Sequence, residues 1–343
     1  MDRKIFVGMC SALLVLVLVV IGMLLWIQQK GTFSLANLIL APQQQDAMQL
    51  QNSSDWQLRE DAVWMHYGIG QPVDEEQAEQ MLRRGYEQGD MLAGGHLYTL
   101  LVGADDGPNK LAEADEILYE SYPVLYELSE NGNVEASFLL AWMYCGSDDP
   151  QWSDYCRNAA RNAAQAHYVP GLQLYGYMLR EGKHVERDPA DAMQWYRISA
   201  QQGCIYGRLG MAEVYADVDY PNYDVTEALR ILDELVQEGE LSAHKQIGEI
   251  HELGNGVAVD RELARHHYEL AIADGDVEAR LNLARCLLRS DAPSAADIEE
   301  AAELLLQVDE LWSLVPEDRR SDTDERKLLV ELQAEVEKLE GGR

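Results

Sequence analysis

Three stretches decide the fold: AMQWYRISAQQG (Ala192–Gly203), EALRILDELVQEG (Glu227–Gly239) and LARHHYELAIADG (Leu263–Gly275). Each ends in a glycine, and Gly203, Gly239 and Gly275 stand 36 residues apart. A fixed interval in this range is the mark of stacked repeats, in which each unit buries its apolar face against the next. Counted forward from the glycine, position +4 is small (Gly207, Ala243, Ala279) and +8 apolar (Met211, Ile247, Leu283). Position +9 is small (Ala212, Gly248, Ala284) and +11 apolar (Val214, Ile250, Cys286). These offsets share one face of a 3.6-residue helix, with +4 and +9 small enough to admit a second backbone. Counted backward, −11 is alanine (Ala192, Ala228, Ala264) and −7 bulky (Tyr196, Leu232, Tyr268), which describes a second helix. That helix ends at the glycine, the residue best suited to a left-handed C-terminal turn. The loop between the two helices carries start signals: Asp188 before Pro189, Asp224 at capping-box spacing from Glu227, and Asp260.

The frame extends upstream. His167 takes the glycine slot before Gly203, and Gly132 and Gly89 precede it, the last interval being longer by seven residues. HELGNGVAVDRELARHHYELAIADGDVEARLNLA (His251–Ala284) and REGKHVERDPADAMQWYRISAQQG (Arg180–Gly203) resemble the Sel-1-like repeat family, the α/α branch related to tetratricopeptide repeats. The resemblance runs from about Asp55 to Leu288 and is closest in the last three units. It implies an all-α, right-handed superhelical solenoid whose first helices line a concave face. It also implies a non-catalytic scaffold for protein complexes, in bacteria often at the envelope. The solenoid is expected over 55–313, with ERKLLVELQAEVEKLE forming a C-terminal capping helix at 324–340, because a stacked array needs a polar outer end.

Residues Ile5–Ile27 are uncharged throughout, IFVGMCSALLVLVLVVIGMLLWI. As a helix they would extend roughly 34 Å, enough to cross a hydrocarbon core of about 30 Å. Arg3 and Lys4 precede the run, so the positive-inside rule keeps residues 1–4 in the cytoplasm and sends the rest across. The run exceeds the apolar core of a cleaved signal peptide, and an uncleaved single-pass anchor in the inner membrane is expected. Residues 28–54 then form a glutamine-rich linker, and the solenoid lies on the extracytoplasmic, periplasmic side. Two cysteines stand in MYCGSDDPQWSDYC. Cys145 closes a first helix and Cys156 sits in the facing second helix, so a disulfide between them is expected in an oxidising compartment.

Sixty acidic residues against 27 basic give a net charge of −33. That excess excludes a phosphate-binding footprint, so nucleic acid is not an expected partner, and basic protein segments are. No cofactor is expected. No metal site is expected either: His251-Glu252-Leu253-Gly254-Asn255 starts like the zinc-protease motif but lacks its second histidine and sits where a helix ends. No nucleophile elbow or phosphate-cradling loop is present, so an enzyme is not expected. A binding surface is. Opposite the packing stripe of the first helices, positions +3, +6 and +10 give Glu135, Phe138, Trp142, Tyr177, Tyr206, Glu213 and Glu249. Of these, Trp142, Tyr177, Tyr206, Glu213 and Glu249 are the candidate partner-binding residues of the concave face, since aromatic side chains anchor interfaces. A second reading makes the protein a periplasmic part of a polysaccharide or secretion apparatus, binding glycan or an outer-membrane partner.

Overall fold

The computed structural model describes residues 55–103, 108–145, 150–254, 256–290, 292–313 and 324–341. The expected membrane helix at 5–27 and the linker at 28–54 lie outside them. Among the described residues no helix is long and apolar enough to cross a membrane. Fifteen helices are described, with no strand. They form pairs: α1 (Asp55–His66) with α2 (Glu75–Glu87), α3 (Met91–Gly103) with α4 (Pro108–Glu130), α5 (Val134–Cys145) with α6 (Pro150–Gln165), and α7 (Val169–Glu181) with α8 (Pro189–Gln201). Then follow α9 (Ile205–Ala216) with α10 (Val225–Gln237), α11 (Ala243–Leu253) with α12 (Arg261–Ala273), α13 (Val277–Leu288) with α14 (Ala295–Ser313), and a final α15 (Asp324–Gly341). The first helices of successive pairs pack side by side, while no comparable packing joins successive second helices among the described residues. The first helices are therefore the inner wall of a curved array.

The turns repeat as faithfully as the helices. The slot that ends each second helix is left-handed at Gly89, Gly132, His167, Gly203, Gly239 and Gly275, with φ between 58° and 104°. The N–H of the residue just after that slot reaches five residues back, as in Tyr168 to the Ala163 carbonyl (3.1 Å) and Asp276 to Ala271 (3.1 Å), satisfying carbonyls that the helix end leaves open. At the other end of each unit the carboxylates of Asp74, Asp188, Asp224 and Asp260 accept from the first turn of the second helix. Their own N–H groups donate to a carbonyl nine residues upstream, on Met65, Leu179, Tyr215 and His251. That bond alters one expectation. The Asp224 N–H is taken by Tyr215 (2.9 Å), so Glu227 does not complete a capping box and instead pairs with Arg230.

The small positions divide into two roles. At +4 they do admit a backbone: a Cβ on Gly207 would lie 2.5 Å from the Ala200 nitrogen, and one on Gly171 2.8 Å from the Ala163 carbonyl carbon. At +9 the neighbour is instead the ring at −7, since a Cβ on Gly176 or Gly248 would lie 2.8 or 2.7 Å from Tyr196 or Tyr268. The small residue there makes room for a buried tyrosine. The longer interval after Gly89 is absorbed partly by α4, which has 23 residues where α8, α10 and α12 have 13. Leu329, Leu332 and Val336 of α15 are buried in one cluster with α13 and α14, so the last helix covers the apolar end of the array.

Curvature brings distant units together. The loop after α1 meets the turn between α8 and α9, 137 residues on. Ile69 and Cys204 form an isolated antiparallel bridge, Gly70 N–H donates to the Gly203 carbonyl (3.1 Å), and the Cys204 thiol donates to the Tyr67 carbonyl (3.1 Å).

Candidate functional site

Inside this curve lies a cavity of about 680 Å³ lined by the first helices α3, α5, α7, α9 and α11. Aromatic rings dominate its wall: Tyr67, Tyr98, Trp142, Tyr177 and Tyr206 all face it, with Phe138 behind them, almost fully buried. The rings pair edge to face, Tyr67 with Tyr206 at 6.1 Å and Tyr98 with Trp142 at 6.3 Å between centroids. This geometry suits their quadrupoles. Tyr177 is the most open of the lining rings, 38% exposed.

Of the five residues expected to form the binding face, Trp142, Tyr177, Tyr206 and Glu213 line the cavity. Glu249 lies one unit further along the same wall and accepts from Asn282 Nδ2 at 2.8 Å. Glu135, at the start of α5, is committed elsewhere. It holds Arg59 Nε and His96 Nε2, each at 3.0 Å, while Arg59 also pairs with Asp90 and His96 meets the Tyr168 hydroxyl at 3.1 Å. Burial pushes the Glu135 carboxyl up, but the Arg59 and His96 charges hold it below the usual carboxylate range.

The inner wall carries a polar ladder. Gln246 Nε2 donates to Glu213 (2.8 Å), Asn282 Nδ2 to Glu249 (2.8 Å) and Arg285 Nε to Glu252 (3.0 Å), and each bond spans 33 residues. That is one repeat less one helical turn, so each unit reads the turn beside it in its neighbour. Arg180 joins the ladder from the other side, 3.0 Å from Glu213. Several of these groups escaped the +3, +6, +10 template: Arg180 and Lys183 lie at +13 and +16, Gln246 at +7. Lys245, at +6, fitted the template; only its charge set it apart from the aromatic pattern.

Glu252, the glutamate of the truncated zinc-protease motif, serves packing. It is 5% exposed and accepts from Arg285 and from the Tyr268 hydroxyl at 2.8 Å. Cys145 and Cys156 are free thiols here, both buried on the facing helices α5 and α6. Burial raises both thiols, Cys156 to about 12, with Cys145 adding to the shift.

Glu249 is the wall residue with a pH signature. Burial raises its carboxyl to about 7, with Glu278 and Glu213 adding and Lys245 opposing. An unfolded glutamate titrates near 4.3. The folded state thus holds the proton more tightly, so its contribution is complete below about pH 4.3 and is lost as pH rises through about 7. Glu249→Gln keeps an acceptor for Asn282 and removes the titration. Urea unfolding should show the variant more stable than the parent at about pH 8 by about 1–3 kcal/mol, and nearly equal at about pH 4. An unchanged difference at both pH values would assign the slope to another group.

Paired helices stacked at a constant interval, with the first helices as an inner wall, define an α/α repeat protein of the solenoid class. More particularly, the Sel1 repeat family model matches residues 60–90, 170–204, 241–276 and 277–307. Helices α9 and α10, between two of these matches, keep the same pairing. An uncharacterised protein of Neisseria meningitidis serogroup B is 29% identical over 191 residues, which is 54% of this chain and 38% of that protein. The match thus covers well under half of the relative's length. Solved structures similar to the chain include a protective antigen of uropathogenic Escherichia coli displaying an SLR fold, with 20% identity, TM-score 0.40, and 87% of this chain and 72% of that one covered. A putative Sel1 repeat protein from Klebsiella pneumoniae subsp. pneumoniae is 16% identical with TM-score 0.43, covering 62% of this chain and 97% of that one.

Proposed function

We propose that the protein is a membrane-anchored, non-catalytic adaptor that gathers other proteins through the concave wall of its solenoid. The observation that carries this reading is the aromatic cavity formed by successive first helices, of a size that would take a few side chains of a partner segment. Trp142 and Tyr177 are its anchors, since large rings on a rigid wall contribute contact area at little entropic cost. The uncharged run at 5–27 holds the chain in the inner membrane and the solenoid works on the extracytoplasmic side. There Cys145 and Cys156, on adjoining helices and each within electrostatic reach of the other, can oxidise to a disulfide. Glycan binding is the weaker reading, because a sugar groove is lined by rings with few bulky aliphatics, and here Val102, Leu174 and Leu209 stand among the rings.

Proximity labelling in intact cells tests this, comparing the full chain with its Trp142→Ala, Tyr177→Ala double variant. The expected result is a small set of envelope proteins, labelled by the parent and reduced at least about tenfold in the variant, as loss of hot-spot rings implies. A set drawn from the cytoplasm would overturn the placement. A set unchanged in the variant would move the contact off the concave wall.

A further inference from the structure

The chain's net charge points to basic partners, yet the cavity is not lined that way. Among its described lining residues stand three cations, Arg180, Lys183 and Lys245, against two acids, Glu213 and Asp276. Lys245 is paired with Glu278. The terminal nitrogens of Arg180 reach Glu213 at 3.0 Å and Glu181 at 3.1 Å. Two donors remain at the end of the cavity where α7 finishes. Arg180 Nε is buried and has no hydrogen-bond acceptor in good geometry among the described residues, although the Tyr196 hydroxyl lies close to the guanidinium. Lys183 is half-buried and has no ion pair or hydrogen bond from its ammonium among the described residues.

This corner is built. Gly182 ends α7 in the left-handed conformation, and Lys183 N–H donates back to the Met178 carbonyl at 2.9 Å. His184, itself left-handed at φ 59°, ties the next residue down: Nε2 lies 2.9 Å from the Cys145 carbonyl and Nδ1 2.7 Å from Ser153 Oγ. The carbonyl can only accept, so Nε2 carries the proton and Nδ1 accepts from the serine. Lys183 is thereby held close to Cys145 at the end of α5, where its charge acts on that thiol. Rings flank the donors. The Arg180 guanidinium lies over Tyr177, 6.0 Å from its centroid, and Trp142 stands on the neighbouring helix.

A buried guanidinium N–H without an acceptor costs free energy, and a carboxylate is the group that relieves it best, through a charge-assisted bond. We infer that this corner binds a carboxylate carried beside an aromatic or large apolar side chain on a partner peptide, with the carboxylate on Arg180 Nε and Lys183 Nζ and the apolar group against Tyr177 and Trp142. An Asp or Glu side chain and a chain's C-terminus both present this carboxylate. The inference rests on the concave wall being the binding face. It reverses the partner charge suggested by the composition: the acidic exterior repels such a segment at long range, and only contact with this corner rewards it.

The test selects binders to the full-length chain from a random-sequence peptide library at about 0.5 M salt, where attraction to the acidic exterior is screened within a few ångströms. Peptides joining Asp, Glu or a free C-terminus to Trp, Phe or Leu are expected. Synthetic copies should lose about tenfold in affinity to Lys183→Glu, with thermal unfolding measured alongside to show that the solenoid keeps its fold. Replacing the peptide's acid by its amide should cost about the same on the parent and clearly less on the variant, which is the coupling a direct contact requires. Side-chain amide and C-terminal amide copies separate the two sources of carboxylate. Lysine- or arginine-rich winners, an empty selection, or affinity indifferent to Lys183→Glu would each overturn the carboxylate corner. If the winners also ignore Trp142→Ala with Tyr177→Ala, the concave-face reading falls with it; if they remain sensitive to that pair, only the charge assignment fails.

Discussion

Glu252→Ala is expected to destabilise the C-terminal half of the solenoid by about 3–5 kcal/mol, the largest effect of any single change considered for this chain. The reason is what the alanine leaves behind. Glu252 accepts two bonds from Arg285, at 3.0 and 2.9 Å, and one from Tyr268 at 2.8 Å, with Arg289 at 3.6 Å. Tyr268 has no exposed surface, and its ring fills the space beside Gly248. Without the carboxylate a guanidinium and a buried hydroxyl lose their acceptor together, and each unsatisfied group carries its own desolvation cost. Because the bonds join α11, α12 and α13, the loss acts across the junction of two repeats. Such arrays unfold unit by unit, so hydrogen exchange is the fitting readout. Amides of α11 to α13 should exchange faster by two to three decades, as about 3–4 kcal/mol implies, while those of α7 and α8 change little. Removing both ends of the pair, as Glu252→Leu with Arg285→Leu, should cost less than Glu252→Ala alone. A single variant that leaves exchange within a factor of a few would show that the network contributes geometry without stability.

Much of this architecture is legible in the sequence because it repeats. The glycine interval locates the left-handed turn that ends each second helix from α2 to α12, and even the exception, His167, occupies the same slot with φ 58°. The capping aspartates read directly as helix starts, since their chemistry is local. What the pattern cannot supply is whatever depends on contacts between helices. Glu227 has the spacing of a capping box, but a bond from Asp224 to Tyr215, nine residues upstream, pre-empts it. Glu135 looks like a groove residue by its offset and is instead consumed by Arg59 and His96, from two other units. The cavity is legible in part. Its rings follow the helical period, whereas its cations do so poorly: Arg180 stands in the last turn of α7 and Lys183 just past the Gly182 cap, where the helical period ends. The closing contact between the Tyr67 loop and Cys204 has no sequence signature, because it follows from the accumulated curvature of four units.

That curvature gives the second large effect its reach. Gly207→Ala should destabilise the protein by about 2–3 kcal/mol, in the range of overpacked interiors. The sign is what makes the experiment decisive. In an open helix the same change would stabilise by about 1 kcal/mol, since alanine is the better helix former. Here the added Cβ would lie 2.5 Å from the Ala200 nitrogen, 2.9 Å from the Tyr196 oxygen and 3.0 Å from the Ser199 carbonyl carbon. All three atoms belong to the backbone of α8, which cannot swing aside as a side chain can, so α9 must retreat from α8. The equivalent slots at Ala243 and Ala279, in the two junctions that follow, already hold a methyl and are fully buried, so the facing helices there leave room for one. Ala243→Gly should therefore also destabilise, by about 1 kcal/mol, through lost helix propensity and a small void. Opposite geometry at equivalent positions, with both changes unfavourable, is the expected pattern in urea unfolding. Gly207→Ala has a further consequence for binding. The start of α9 carries Tyr206 into the cavity and adjoins the Gly203–Gly70 bond, so moving the helix away from α8 pulls on the contact that closes the curve. Loss of that contact should release the Cys204 thiol, which has no exposed surface in the closed form, to alkylation by a water-soluble maleimide. A stabilised variant whose Cys204 stays protected would mean that α8 and α9 have slack between them, and that the close approach at Gly207 does not set the curvature of the wall.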